Sequence, residues 1–162
     1  MRRGFQVEKT FIFFCAVTVI SFMSCVNRTE FEQYQKFEKQ SWNRFNIIKF
    51  EVPVDDTKTS FDIVLVIRHL PEFKIKELPV NVTMYMPSGE IRSAEHIMKF
   101  TDNAGESLSK CLGDLCDLSF ILREGFIFPE AGTVRIEIEN KWPRLELPGI
   151  LEVGLILQKS QK

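Results

Sequence analysis

Residues 134–139 read Val134-Arg135-Ile136-Glu137-Ile138-Glu139. Apolar and charged side chains alternate without a break, the period of a strand with one face in a core and the other toward water. A turn, Glu130-Ala131-Gly132, precedes it, and before that Phe126-Ile127-Phe128-Pro129 is a short apolar piece closed by proline. Working outward, the same period returns several times. Ile48, Phe50, Val52 and Val54 alternate with Lys49, Glu51 and Pro53. Pro53 has no amide proton to give a ladder, which predicts an edge strand or a strand end. Phe61, Ile63, Leu65 and Ile67 form one face of the next strand. Val64 and Val66 make its other face apolar too, the mark of a strand that is central or covered on both sides. Leu78, Val80, Val82 and Met84 alternate again before the turn Pro87-Ser88-Gly89. His96, Met98 and Phe100 alternate more weakly. Leu118, Phe120 and Leu122 follow a polar loop, and Leu151, Val153, Leu155 and Leu157 close the chain. About six to eight short strands with no long helical period predict one all-β domain over 42–162, a β-sandwich or jelly roll.

The N-terminus has a different character. Arg2, Arg3 and Lys9 form a basic head, residues 11–20 an apolar run, and Ser24 a small residue directly before Cys25. This is the layout of an export signal over 1–24, with an apolar run too short for a bilayer span of about 20 residues. Cys25 after a small residue resembles a bacterial lipobox, in which the thiol takes a lipid and the chain is cut before the cysteine. Residues 25–41 are polar with scattered aromatics (Phe31, Tyr34, Phe37) and are expected to be a lipid-anchored tether. A capping box from Thr29 to Glu32 offers a short helix as the alternative.

The whole chain of 162 residues carries a net charge of −1, and the signal holds Arg2, Arg3 and Lys9 against Glu8, which leaves the remainder near −3. Such a domain has no electrostatic footprint for nucleic acid. Cys111-Leu-Gly-Asp-Leu-Cys116 suits a small disulfide loop in an oxidising compartment, and equally two free thiols. A metal site is the lesser expectation, because a closed zinc site usually wants four ligands and beside these cysteines the chain offers only His69 and His96. No nucleophile elbow, metalloprotease helix or phosphate-cradling loop is present, so no catalytic residue, cofactor or metal is expected. Glu137 and Glu139 share a side of one strand, which makes them a solvated face before a carboxylate pair. Arg68 ends an apolar strand and is expected to pin it through an ion pair, or to grip a partner's carboxylate. Trp42 and Trp142 are expected to plug the ends of the core. As sugar-stacking platforms they would make the domain a carbohydrate-binding module of the cell envelope. Gly149 after Pro148 predicts a turn at positive φ, and Gly154 inside an apolar strand predicts a bulge or a close approach.

One resemblance spans nearly all of residues 42–158. Phe126-Ile-Phe-Pro-Glu-Ala-Gly132-Thr-Val-Arg-Ile-Glu-Ile-Glu139, followed by Leu147-Pro-Gly-Ile-Leu-Glu-Val-Gly-Leu155, resembles the gliding-motility lipoprotein GldH family of Bacteroidetes. Trp42, Ile67-Arg68-His69 and Pro87-Ser-Gly-Glu90 fall where that family has similar residues. Asn140-Lys141-Trp142-Pro143 and the Cys111/Cys116 loop depart from its pattern. The resemblance implies a lipoprotein held on the inner or outer membrane, a part of the gliding apparatus linked to type IX secretion. Its partners would be other envelope proteins, and no enzymatic activity comes with it.

Overall fold

Ile63-Val64-Leu65-Val66-Ile67 must hide two apolar faces, and the architecture follows from that demand. In the computed structural model, which describes residues 28–161, this segment lies in the third strand of a five-stranded sheet. In chain order the strands are β1 (Thr29–Lys36), β2 (Ser41–Asn43), β3 (Ile48–Val54), β4 (Phe61–His69), β5 (Glu77–Tyr85), β6 (Ile91–Lys99), β7 (Lys110–Leu112), β8 (Leu115–Phe126), β9 (Gly132–Asn140), β10 (Glu146–Pro148) and β11 (Ile150–Lys159). One sheet has the order β1-β11-β4-β8-β7, a second β3-β9-β5-β6, and a two-stranded ribbon β10-β2 closes one end. All pairings are antiparallel.

The two larger sheets bury one shared core. Phe61, Ile63, Leu65 and Ile67 of β4 and Val153, Leu155 and Leu157 of β11 face Ile48, Phe50, Val52, Val134, Ile136 and Ile138 of the other sheet. Fully burying one such side chain is worth about 1.5–3 kcal/mol. The domain is the all-β sandwich that the alternation predicts, with three-residue strands β2, β7 and β10 beyond those the sequence announces. Pro53 sits in β3, which is an edge as expected.

The tether expected over 25–41 is corrected from residue 29 onward. Thr29–Lys36 is neither tether nor helix but the edge strand β1, paired along β11 from Gln158 to Glu152. The cause lies on the outer face of the sheet. Tyr34 pairs with Gly154, and the Cδ1–Cε1 edge of its ring occupies the space a Cβ there would take. Gly154 pairs in turn with Val66, so the ring lies toward the outer face of β4. Val64 and Val66 keep only 7% and 5% exposure. Gly154 is thus a close approach and not a bulge, while Gly149 takes φ +87° in its turn. The export signal and Cys25 lie outside the described residues.

A methyl at 154 forces Tyr34 and β1 outward. Gly154→Ala is expected to cost about 1–3 kcal/mol in urea unfolding, as overpacking does. Most of that cost should vanish when the same change is made in a Tyr34→Ala background.

Candidate functional site

Arg68 points to the outer face of β4, where register sets it between Asp117 of β8 and Glu152 of β11. Its Nε and Nη2 donate to the two oxygens of Asp117 at 2.8 and 2.9 Å, and Nη1 donates to Glu152 at 3.2 Å. Lys36 adds a second cation to Glu152 at 3.3 Å, and the guanidinium lies 6.0 Å from the Tyr34 ring centre. The bidentate fork holds the Asp117 carboxyl below its usual range and raises Arg68 further. Burial, helped by a hydrogen bond to Glu32, pushes the Tyr34 hydroxyl up to about 12. Arg68 therefore ties three strands together, and its donors are committed within the domain.

Trp42 is fully buried, donates from Nε1 to the Asn46 carbonyl at 2.8 Å and stacks on Phe37. It has no face to offer a sugar. Trp142 is half-buried against the core and borders a cleft with Lys74, Lys76 and Lys99. Its Nε1 is buried without a hydrogen-bond partner. Cys111 and Cys116 are joined in a disulfide across the β7–β8 hairpin. His69 is buried at the end of β4. Its Nδ1 meets the Leu70 carbonyl at 2.8 Å, which makes Nδ1 the donor and leaves Nε2 to accept from the Ser109 hydroxyl at 2.7 Å in the neutral ring. Glu137 is less solvated than its alternation suggests, because Lys49, Arg135 and the Tyr85 hydroxyl converge on it. Among the described residues no group of three or more His, Cys, Asp or Glu side chains could hold a metal ion.

Two features escape the sequence. The first is a set of exposed apolar side chains at one end of the sandwich. Phe45 is 79% exposed between β2 and β3, Leu145 is 56% exposed beside the β10–β2 ribbon, and Leu112 is 88% exposed at the tip of the disulfide hairpin. All three lie at the end where β4 finishes and β8 begins. Arg28, whose carbonyl accepts from the Lys159 amide, lies at the other end. Nothing in a lone Phe45 between Arg44 and Asn46 distinguishes it from the buried Phe50. The second is a crevice of about 120 Å³ between the sheets, walled by Ile63, Val82, Met84, Leu122 and Ile136. Arg92, His96 and Arg123 also line it. Burial, together with the nearby Arg123, lowers the affinity of His96 for a proton.

A family model described as GldH lipoprotein matches residues 29–157. The match starts on the first residue of β1, so this strand is part of the matched domain. A curated relative, the gliding motility lipoprotein GldH homolog of Christiangramia forsetii, is 26% identical over 167 residues, covering 99% of this chain and 99% of the relative.

Two measurements probe the cluster and the hairpin. Arg68→Met is expected to cost about 1 kcal/mol at pH 7, a charge-assisted bond discounted for partial exposure. The lowered Asp117 carboxyl contributes stability that is complete above its unfolded value near 3.9 and is lost as pH falls through its folded value. The gap between wild type and variant in urea midpoint should therefore narrow below about pH 4. Joint Cys111→Ser and Cys116→Ser replacement should lower stability by about 2 kcal/mol, the chain-entropy estimate for so short a loop. Reductant should reproduce that loss in the wild type and leave the double variant unchanged.

Proposed function

The chain belongs to the GldH lipoprotein family, and from that premise we propose that it is a non-catalytic interaction component of the gliding apparatus, linked to type IX secretion, held in the cell envelope by a lipid on Cys25. The observation that carries this reading is that the two most exposed large apolar side chains, Leu112 and Phe45, lie at the end of the domain opposite Arg28. Its first described residue, Arg28, is bonded to Lys159 at one end of the sandwich, and the exposed Phe45, Leu112 and Leu145 lie at the other. Three residues from Cys25 to Arg28 span at most about 11 Å when extended. A lipid at Cys25 therefore sets the Arg28 end against the membrane and turns the apolar end away from it. Multiple acyl chains at about 0.8 kcal/mol per buried methylene make such an anchor effectively permanent. Exposed apolar side chains at the free end suit contact with other envelope proteins.

The carbohydrate-binding alternative has less support, because Trp42 is enclosed and Trp142 is half-buried against the core.

The test is made in cells that express the full chain. The wild type should fractionate with membranes, and Cys25→Ala should move to the soluble fraction. Phe45→Ser with Leu112→Ser should stay on the membrane, keep its unfolding midpoint, and migrate as a smaller species than the wild type on a native gel of mild-detergent extracts. Cys25→Ala remaining on the membrane would refute the anchor. An unchanged native size for the double variant would refute the role of the apolar end.

A further inference from the structure

A β-sandwich has edges, and an edge with free amides and carbonyls invites another strand unless something guards it. Three of the four outer edges are guarded here. β1 carries an irregular register between Thr29 and Phe31 and a row of charged side chains. β3 contains Pro53. β7 is three residues long and closed by the disulfide. β6 is different. It runs nine residues, contains no proline, and pairs with β5 in unbroken register from Lys99 to Ile91. No strand among the described residues pairs with its other side. Ile91 and Ile97 on it are 61% and 50% exposed.

The crevice opens beneath this edge. Arg92, Ala94 and His96 are the side chains of β6 that share a face with the core-facing Met84, Val82 and Val80 of β5. His96 meets Phe120 of β8 at 6.1 Å between ring centres, and the Arg92 guanidinium lies 5.6 Å from the Phe126 ring. Between these two bridges stands Ala94, whose side chain is too short to fill the gap that Leu122 also lines. The resulting space of about 120 Å³ has an apolar floor of Ile63, Val82, Met84, Leu122 and Ile136 and a polar rim. A cavity of about 150 Å³ accepts a benzene molecule, so this one takes a single branched aliphatic side chain. Its lining is cationic: Arg92 is held by Glu90, and Arg123 forms no ion pair among the described residues.

We infer that β6 is a docking edge for an extended segment of a partner protein, which adds to the four-stranded sheet as a fifth strand and seats one branched aliphatic side chain in the crevice beside Ala94. The segment's inward face carries carboxylates two residues either side of that aliphatic, where one meets the unpaired Arg123 and the other the Nη1 that Glu90 leaves to Arg92. Main-chain bonds to the edge give affinity, and the crevice with its cations gives register and choice of partner. A second copy of this chain is the poorer occupant. Its own β6 offers Arg92, Ala94 and His96 on that face, which would bring like charges together and leave both crevices empty.

The test uses the mature lipidated protein in detergent micelles and a blocked heptapeptide, Thr-Glu-Thr-Leu-Thr-Glu-Thr, as the probe. The peptide should bind, and hydrogen exchange should slow over residues 91–99. Replacing its Leu by Ser, or both Glu by Lys, should weaken binding at least tenfold. Ala94→Leu fills the crevice with the protein's own side chain, so this variant should stay folded with an equal or higher unfolding midpoint and also lose at least tenfold in affinity. Four results would overturn the proposal: no binding at millimolar peptide, protection away from β6, indifference to Ala94→Leu, or protection of 91–99 that grows with protein concentration without peptide. The last would mean that a second copy holds the edge. Because purified protein is used, failure here leaves the anchored role at the membrane intact.

Discussion

The ring of Tyr34 lying over Gly154 is the contact on which the rest of the arrangement depends. β4 is apolar on both faces, and the sandwich core can cover only one of them. The other face needs a lid, and the segment Thr29–Lys36 supplies it. Gly154 has no Cβ, so an aromatic ring can descend to the backbone of β11 beside Val66. The same descent brings Lys36 to Glu152 and sets the ring near Arg68, whose fork to Asp117 ties β4 to β8. A single missing methyl thereby lets β1 lie along β11 and cover the outer face of β4.

Drawing β1 into the sheet also fixes the relation between the domain and its anchor. A tether of seventeen residues would let the domain roam far from the membrane. With the lipid proposed on Cys25, a tether that ends before Thr29 would keep the Arg28 end close and give the molecule a direction. Arg68 and Glu137 have their ionic partners inside the domain, whereas apolar side chains at the far end and one strand edge along the side are open. Both suit recognition of other proteins.

Much of this was legible in the sequence, and the illegible parts share a cause. β9 could be read because one of its faces is core and the other is wet, so period two survives intact. β4 announced a central position through five apolar residues in a row, and β3 announced an edge through Pro53. β1 could not be read, because Phe31 serves the core and Tyr34 the outer face, which leaves no apolar period in Thr29–Lys36. Its partner strand also lies at the far end of the chain. β6 read weakly for the complementary reason. The sandwich is open along that side, so its inward positions hold Arg92, Ala94 and His96 where a closed core would demand aliphatics. Phe45 and Phe50 are the same residue type five positions apart with opposite burial, a difference set by the ribbon and sheet around them and by nothing local.

The covered outer face of β4 and the short reach to the membrane both require β1 to be part of the domain. The direct measurement is residue-resolved amide hydrogen exchange over Thr29–Lys36 in the mature protein. If Tyr34 holds the strand down, the amides of these residues that face β11 exchange orders of magnitude more slowly than an unfolded chain, and Tyr34→Ala returns them toward unfolded rates while β4 stays protected. Exchange at unfolded-chain rates throughout 29–36 in the wild type would contradict the account, and would restore the long tether in place of the short one.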